Sequence, residues 1–411
     1  MKKRYVFPAL AVVVLAILTL ALRTRAPIRI GVLHSLTGTM AISEKSVVDA
    51  VTLAVEQINH SGGLLGRQIE MVVADGHSDN DTFAREAERL IAQEHVVAVF
   101  GCWTSGSRKT VLPVFEKHDH LLFYPVQYEG LEASPNIVYL GAAPNQQIIP
   151  AVRWAIRTKG RRFFLVGSDY VFPRAANAII RDHVGPWRAQ IVGEEYVRLG
   201  EHDMSGVIKA IVAAKPDVIL NTLNGDSNVA FFEALRAAGI TSAAVPTISF
   251  SIAENELQSL PRDKMAGDYA AWNYFQSIDT AVNQQFVDAF KARYGSARST
   301  SDPLEAAYVG VNLWAAAVNA AGTPDVRKVR QVIADRSQQG PGGMVYVDPE
   351  NRHTWKTVRI GQIRPDGQFD IVWSSEYPIR PVPYPPQRTV QAWDAMLQQL
   401  YTSWGNRWVR P

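Results

Sequence analysis

The sequence has very little cysteine: Cys102 is the only one among 411 residues. A single cysteine excludes an intramolecular disulfide, so the fold must depend on its hydrophobic core. Histidine is also sparse, and the nine histidines do not have the spacing of a zinc site. The sequence contains neither a G-x-S-x-G motif nor a glycine-rich phosphate loop, which excludes two common catalytic signatures. Nothing in it indicates a metal or a cofactor.

The chain also lacks a strong excess of charge. Its formal net charge is +3, and charged residues make up 20% of the sequence. Five basic residues and no acid lie within the first 26 positions, so the remainder is slightly acidic. This distribution excludes an extended basic surface for nucleic acid. At 47% hydrophobic residues, the chain is long and apolar enough for two cored domains.

Residues 1–26 have the composition of an export leader. Basic residues flank an apolar run from Val6 to Leu22. The run is short for a membrane span, which needs roughly 20 residues, and neither a small-residue cleavage site nor a lipid-accepting cysteine follows it. We therefore expect a signal peptide or an N-terminal anchor at 1–26, with the body of the protein in the periplasm or otherwise outside the cytoplasmic membrane.

From residue 27 onward, short β-rich runs alternate with helical patterns. IRIGVLHS is typical of a strand, and Val47, Val51 and Ile58 then lie on one helical stripe. Strands this apolar are expected to be buried on both faces of a parallel sheet flanked by helices. The pattern starts afresh after NIVYLGAAPNQ, so the sequence predicts an α/β fold of two lobes.

The last third of the chain has a different pattern. Three helical segments follow Ser277, and two β-rich runs then flank RPDG, which is typical of a hairpin turn. A proline-rich segment leads into a final helical pattern, in which Trp393, Leu397 and Trp404 share one face. We expect this last helix to pack on the body of the protein as a tail.

In a doubly wound sheet, ligands bind at the carboxyl ends of the strands, and the loops predicted there are polar and aromatic. CWTSGSRK follows the third strand. If the next helix begins near Ser107, its free N–H groups and the hydroxyls of Thr104 and Ser105 form a donor cluster for a carbonyl or anionic oxygen. The alternative is that Ser105 or Ser107 merely caps the helix.

Other strand-end loops supply flat walls and acceptors. Four aromatic residues stand near Trp103 in the predicted arrangement, which favours a small planar ligand between the lobes: Tyr124, Tyr128, Tyr170 and Phe172. Asn224, Asp226 and Glu254 add acceptors from the second lobe. Donors on one wall and acceptors on the other suit a neutral amide, whose C=O and NH₂ groups need both.

Two arginines could instead clamp a carboxylate ligand. Arg108 and Arg174 lie in strand-end loops, although a helix-surface position for Arg108 and a lobe-edge ion pair for Arg174 are the ordinary interpretations. The enzyme alternative is an amidase, in which a helix N-terminus activates Cys102. A lone cysteine after VVAVFG is more typical of a small buried residue, so we expect a protein that is not an enzyme.

At these loops the sequence resembles the substrate-binding proteins of ABC transporters for branched-chain amino acids and amides, within the type I periplasmic binding proteins. The urea and short-chain amide branch is the most similar. Eight stretches in order carry the resemblance: LHSLTGTMAISE, GCWTSGSRKTVLPVFE, LLFYPVQYEG, NIVYLGAAPNQQ, GSDYVFPRAAN, NGDSN, FSIAENEL and AAWNYFQSID.

The resemblance implies two Rossmann-like lobes with parallel sheets, joined by three hinge crossovers near Ala143, Trp272 and Thr354. It places the first lobe at 27–143 with 276–354, the second at 144–275 with 355–385, and a C-terminal helical tail at 386–411. It also implies capture of urea or a short-chain amide between closing lobes and delivery to a permease, without nucleic acid. A membrane-anchored sensor for the same ligands is the alternative.

Carried over by motif, the implied ligand residues come from both lobes. The first lobe contributes Trp103, Thr104, Ser105, Tyr124 and Gln127, and the second contributes Tyr170, Phe172, Asp226, Ser251 and Glu254. Phe172 stands where the family commonly has tyrosine. On this basis we expect Ser105→Ala to weaken ligand binding and Cys102→Ala to affect mainly stability.

Overall fold

The computed structural model describes residues 26–411, so the predicted leader up to residue 25 lies outside the described residues. Three sheets are formed by fifteen strands in this part of the chain. In chain order they are β1 (Ile28–His34), β2 (Ile69–Asp75), β3 (Val99–Gly101), β4 (Leu122–Tyr124), β5 (Ile137–Tyr139), β6 (Arg162–Ser168), β7 (Gln190–Val197), β8 (Val218–Thr222), β9 (Thr247–Ser249), β10 (Tyr269–Trp272), β11 (Ser337–Gly340), β12 (Gly343–Val347), β13 (Thr354–Trp355), β14 (Arg359–Ile363) and β15 (Phe369–Ser374).

The α-helices within residues 26–411 alternate with the strands in the first two thirds of the chain. They are α1 (Ala41–His60), α2 (Asn80–Ala92), α3 (Ser105–Lys117), α4 (Ile148–Thr158), α5 (Val171–Val184), α6 (Ser205–Ala214), α7 (Ser227–Ala237), α8 (Glu254–Leu257), α9 (Arg262–Met265), α10 (Ala281–Tyr294), α11 (Asp302–Ala321), α12 (Val326–Ile333) and α13 (Val390–Ser403).

The first sheet is parallel, with the strand order β2-β1-β3-β4-β5. The second sheet has the order β15-β14-β10-β9-β8-β6-β7 and is parallel except for β14 and β15, which form the predicted antiparallel hairpin. Each sheet places β1 or β6, its first strand in the chain, between two later strands, which is typical of doubly wound α/β folds. The α/β fold class is confirmed.

Two details differ from the sequence-based expectations. The expectation that every strand is buried on both faces is wrong for β2, where Val73 is 42% exposed. β2 lies at the edge of its sheet, so helices cover it incompletely. The small antiparallel sheet β11-β12-β13 was not predicted, because its polar strand β11 (SQQG) has no apolar alternation.

The chain passes between the two large sheets three times, and the three connections lie side by side. Gln146, after β5, donates to the Thr354 carbonyl at 2.9 Å. Asn273, after β10, donates to the Gln146 carbonyl at 3.1 Å. Thr354 in turn donates to the Leu140 carbonyl at 3.1 Å. Hydrogen bonds among the three connections therefore hold them together as one hinge region between the lobes.

The helices after the second connection return to the first lobe. The Tyr308 hydroxyl of α11 donates to Gln57 of α1 at 2.6 Å, and Arg293 of α10 pairs with Glu56 at 3.0 Å. Helix α13 instead packs on the second lobe, where Trp393 is fully buried and donates to the Pro385 carbonyl at 2.9 Å. Within residues 26–411, no helix has the length and apolar character needed to cross a membrane.

Candidate functional site

The loop after β3 is built around the start of α3. Thr104 is the N-cap: its Oγ1 accepts the Ser107 N–H at 3.0 Å and donates to the Ser107 hydroxyl oxygen at 3.0 Å. The helix thus begins at Ser105, two residues before the predicted start. The Thr104 hydroxyl therefore caps the helix, as in the alternative interpretation of this loop, with Thr104 in place of Ser105 or Ser107.

The Ser105 hydroxyl is also committed within the protein. It donates to the Glu129 carboxylate and accepts from Arg108 Nη1 at 3.1 Å. A hydroxyl has only one proton to donate, so Ser105 has none left for a ligand carbonyl. Both hydroxyls of the predicted donor cluster thus make hydrogen bonds within the protein, and the ligand role of Thr104 and Ser105 stays a prediction.

A buried group of four charged side chains stands behind Ser105; we call it the ion cluster. It consists of Arg108, Lys109, Glu129 and Glu132. Arg108 binds Glu129 at 3.1 Å and Glu132 at 2.8 Å, and Lys109 binds Glu132 at 2.9 Å. Two cations face two carboxylates, so the cluster is neutral overall.

Electrostatics within the ion cluster favour the charged forms. Burial opposes ionisation of Glu132, but the charges of Arg108 and Lys109 outweigh it and lower the pKa of Glu132 to about 2. Burial likewise opposes the charge on Arg108, and the two glutamates outweigh it, so the pKa of Arg108 is raised above its ordinary value. The guanidinium also lies 4.3 Å from the centre of the Tyr128 ring.

The ordinary interpretation of Arg108 as a helix-surface residue is wrong. Its side chain is fully buried, because α3 turns this face towards the loop that carries Glu129 and Glu132. Arg174 has the lobe-edge ion pair that was the ordinary interpretation for it, with Asp169 at 2.8 Å. Neither arginine is free to clamp a carboxylate ligand.

Aromatic residues from both lobes meet beside the ion cluster. The Tyr124 hydroxyl donates to the Trp103 carbonyl at 2.6 Å, and the Trp103 indole N–H lies 3.4 Å from Asn224 Oδ1 across the cleft. Tyr170 packs against Phe172 with ring centres 6.2 Å apart. Burial raises the pKa of Tyr170, and the nearby Tyr124 and Glu129 add to that shift. The contact between Trp103 and Asn224 thus joins the two lobes near these rings.

A second polar group lies where Gln127 meets the second lobe. Gln127 Nε2 donates to the Phe250 carbonyl at 2.7 Å, and Gln147 Nε2 reaches the same carbonyl at 3.2 Å. Among residues 26–411, Gln127 Oε1, Gln147 Oε1 and the adjacent Ser251 Oγ have no hydrogen-bond partner, although all three are buried. Buried polar atoms are normally paired, so these atoms indicate a place for a polar ligand.

The remaining two predicted residues lie apart from this centre. Asp226 is at the rim, where its half-exposed carboxylate accepts from Thr39 of the first lobe. Glu254 lies beside the second connection and accepts the Gln276 N–H at 2.7 Å. Burial raises the pKa of Glu254 to about 8, and within the described chain its Oε2 has no partner.

Cys102 lies inside the first lobe. Its side chain is fully buried, its N–H donates to the Leu33 carbonyl at 2.9 Å, and its φ of 66° turns the chain sharply from β3 into α3. Burial raises the pKa of the thiol well above its ordinary value. A protonated, enclosed thiol is not a nucleophile, which argues against the amidase alternative.

Sequence reasoning missed Glu129, Glu132 and Gln147. A signal for the two glutamates exists: the loop YEGLE carries two acids after β4, and the neighbouring loop CWTSGSRK carries two bases after β3. Carboxyl ends of adjacent parallel strands meet at one sheet edge, so opposite charges in these loops predict an ion pair.

Comparison with known proteins matches residues 28–390 to the periplasmic binding protein domain family. The chain belongs to this family of periplasmic binding proteins. The match covers both lobes and the three connections between them, and it ends at the first residue of α13.

Three proteins similar to this chain differ in how much of their own length the match covers. The Leu/Ile/Val-binding protein homolog 7 of Brucella melitensis is 24% identical over 89% of this chain and 96% of its own. A solute-binding protein of an ABC transporter from R. palustris, solved with 4-hydroxybenzoate, has a TM-score of 0.76 and 21% identity over 86% of this chain and 98% of its own. A limonene hydroxylase of Geobacillus stearothermophilus is 39% identical over 28% of this periplasmic binding protein, which spans only 21% of the hydroxylase.

Proposed function

We propose that this periplasmic binding protein captures urea or a short-chain aliphatic amide between its lobes, outside the cytoplasmic membrane, and delivers it to an ABC transporter permease. The observation that carries the proposal is the neutrality of the site. Arg108 and Lys109 are both paired with buried carboxylates.

A charged ligand fits this arrangement poorly. A leucine-like ligand or 4-hydroxybenzoate carries a carboxylate, which needs an available cation when it leaves water. Within residues 26–411, the cations beside the cleft centre, Arg108 and Lys109, already bind Glu129 and Glu132. A new anion would have to compete with those glutamates for their partners. The paired charges therefore favour a neutral ligand over the carboxylates that the names of the relatives suggest.

The unpaired polar atoms match the groups of an amide. Gln127 Oε1 and Gln147 Oε1 are acceptors for NH₂ groups. Ser251 has a hydroxyl to donate to a carbonyl oxygen. The aromatic rings of Trp103 and Tyr170 supply apolar faces for a planar molecule.

Direct contacts across the cleft favour a small ligand. Gln127 bonds to Phe250, Trp103 approaches Asn224, and Thr39 bonds to Asp226 between the lobes. These contacts exist only when the lobes are closed, so a ligand that bridges the same walls shifts the protein towards the closed form. Urea has four heavy atoms, and a ceiling of about −1.5 kcal/mol per atom limits its affinity to about tens of micromolar.

Titration calorimetry of residues 27–411 tests the proposal. The ligands are urea, formamide, acetamide and thiourea, with leucine and 4-hydroxybenzoate as the competing classes. We expect heat with at least one amide and none with either carboxylate. Heat with leucine or 4-hydroxybenzoate alone would overturn the amide assignment.

Delivery to a permease requires a test in cells. We expect deletion of this chain's gene to abolish uptake of labelled urea at micromolar concentration, and a plasmid copy to restore it. Unchanged uptake together with a lost transcriptional response to urea would point to the sensor alternative.

A further inference from the structure

The segment after α13, residues 405–411, attaches to the second lobe beside the candidate site. The Val171 N–H donates to the Trp408 carbonyl at 3.0 Å, and the Arg410 N–H donates to the Asp169 carbonyl at 3.1 Å. Val409 forms an antiparallel bridge with Tyr170, one of the predicted ligand residues. The segment is thus held as a short strand against the loop that carries Tyr170.

The same segment also contacts the first lobe. Lys109 Nζ, a member of the ion cluster, lies 5.1 Å from the centre of the Trp408 ring. Val409 Cγ2 packs over Gly106 at the start of α3, where an added Cβ would lie only 3.1 Å from it. Residues 408 and 409 therefore contact both lobes at once.

These contacts form one side of a cavity of about 400 Å³ between the lobes. The first lobe lines it with Ser35, Glu44, Asp79, Thr104, Lys109 and Thr110. The segment from Asn406 to Pro411 lines the other side. Thr104, which lines this cavity, stands between Trp103 and Ser105 in the chain, so the cavity borders the loop that carries the first-lobe residues of the candidate site.

We propose that residues 405–411 form a strap across the cleft, which stabilises the closed form of the protein and retains its ligand. The role in ligand retention rests on the proposed function, whereas the effect on closure does not. The strap lies beyond residue 390, where the family match ends. Its backbone bonds hold it on the second lobe, so opening must separate Trp408 and Val409 from Lys109 and Gly106.

This geometry predicts which contacts of the strap stabilise the closed form. A group that contacts both lobes only in the closed form shifts the equilibrium by its differential contact energy. Replacing Trp408 and Val409 by alanine removes the contacts with the first lobe and keeps the backbone bonds with the second. A matched control replaces Tyr377 and Val390, two exposed side chains elsewhere, by alanine.

Pulsed electron paramagnetic resonance measures the distance between the two lobes, and this measurement does not need a ligand. Spin labels at Lys45→Cys in α1 and Lys209→Cys in α6 report the distance between the lobes, because both positions are exposed and the native Cys102 is buried. We expect Trp408→Ala/Val409→Ala to shift the distances towards longer values than in the control double variant. If the strap variant and the control variant have equal distance distributions, both without urea and with 10 mM urea, the proposed role of the strap in closure is wrong.

Calorimetry with urea provides the second readout. We expect the strap variant to bind urea about tenfold more weakly than the control, with unchanged circular dichroism. Equal affinities in the two variants would contradict ligand retention by the strap. If neither variant nor the parent binds urea while the label distances still shift, the amide assignment fails and the strap stands.

Discussion

The two walls of the cleft differ in how their polar groups are satisfied. In the first lobe, the ion cluster and the hydroxyls of Thr104 and Ser105 bind one another. In the second lobe, Gln147 Oε1 and Ser251 Oγ are buried and have no partner within the described residues. Paired polar groups hold their positions without a ligand, whereas unpaired ones gain from binding one. The first wall thus provides mainly rigidity, with the unpaired Gln127 Oε1 as its exception, and the second provides recognition.

The largest expected effect comes from breaking the ion cluster. Arg108→Met leaves Glu129 and Glu132 buried with only Lys109 to compensate them, and we expect it to lower the free energy of unfolding by about 3–5 kcal/mol. Guanidinium denaturation measures the change. Arg293→Met removes a half-exposed arginine paired with Glu56 and should cost at most about 1 kcal/mol. Equal losses in both variants would contradict the account of the first wall.

The second lobe also holds a buried carboxyl, Glu254, whose burial should affect the pH dependence of stability. Burial raises the pKa of Glu254 from an ordinary 4.5 to about 8. A raised pKa contributes stability that is complete below pH 4.5 and is lost as the pH rises to about 8. Glu132, with its pKa lowered to about 2, has the opposite behaviour and loses its contribution as the pH falls from 4.5.

We therefore expect Glu254→Gln to reduce the decline in melting temperature between pH 4.5 and 8, because glutamine stays neutral throughout. Thermal unfolding at a series of pH values checks this. Glu233→Gln, an exposed glutamate on α7, is the control and should leave the profile unchanged. An identical decline in both variants would mean that Glu254 ionises freely in the folded protein.

Two serine substitutions compare the walls directly. Ser105→Ala removes the hydrogen bond to Glu129 Oε2 and leaves that carboxylate hydrogen-bonded by Arg108 alone, and we expect a loss of about 1–3 kcal/mol in the free energy of unfolding. Ser251→Ala removes a hydroxyl that has no partner within residues 26–411, so stability should hardly change while urea affinity falls about tenfold. Guanidinium denaturation measures the stability of both variants, and calorimetry measures their affinity for urea. A stability loss in Ser251→Ala together with an affinity loss in Ser105→Ala would contradict the roles assigned to the two walls.

The smallest expected effect lies at the rim. Asp226→Ala removes the contact with Thr39 across the cleft, and its half-exposed position limits the loss of urea affinity to about twofold. Calorimetry measures this loss of urea affinity, with Asp263→Ala, a substitution at an exposed aspartate, as the control. A loss of a hundredfold would place Asp226 in direct contact with the ligand.

The fold was largely predictable because its signals are local. Apolar strands and striped helices alternate along the chain, and turn residues punctuate them. The expectation for β2 was wrong because a strand's place at a sheet edge is a property of the whole sheet. The strands β11–β13 are short and partly polar, so local periodicity does not indicate them.

The candidate site was predictable in position and less so in chemistry. Trp103, Tyr124, Tyr170 and Phe172 were expected at strand ends, and the structure brings them to the cleft. The Ser105 hydroxyl donates its proton to Glu129, which lies 24 residues away in another loop. Non-local pairing of this kind decides which polar atoms remain free, and a single loop does not contain that information.

The central claim is that the paired charges leave a neutral site for a neutral ligand. Acetamide and acetate have nearly the same shape and differ in charge, so calorimetry of residues 27–411 with each at pH 7 tests the claim most directly. We predict that acetamide binds, or competes with urea, and that acetate does neither at the same concentration. Binding of acetate as tight as that of acetamide would contradict the account.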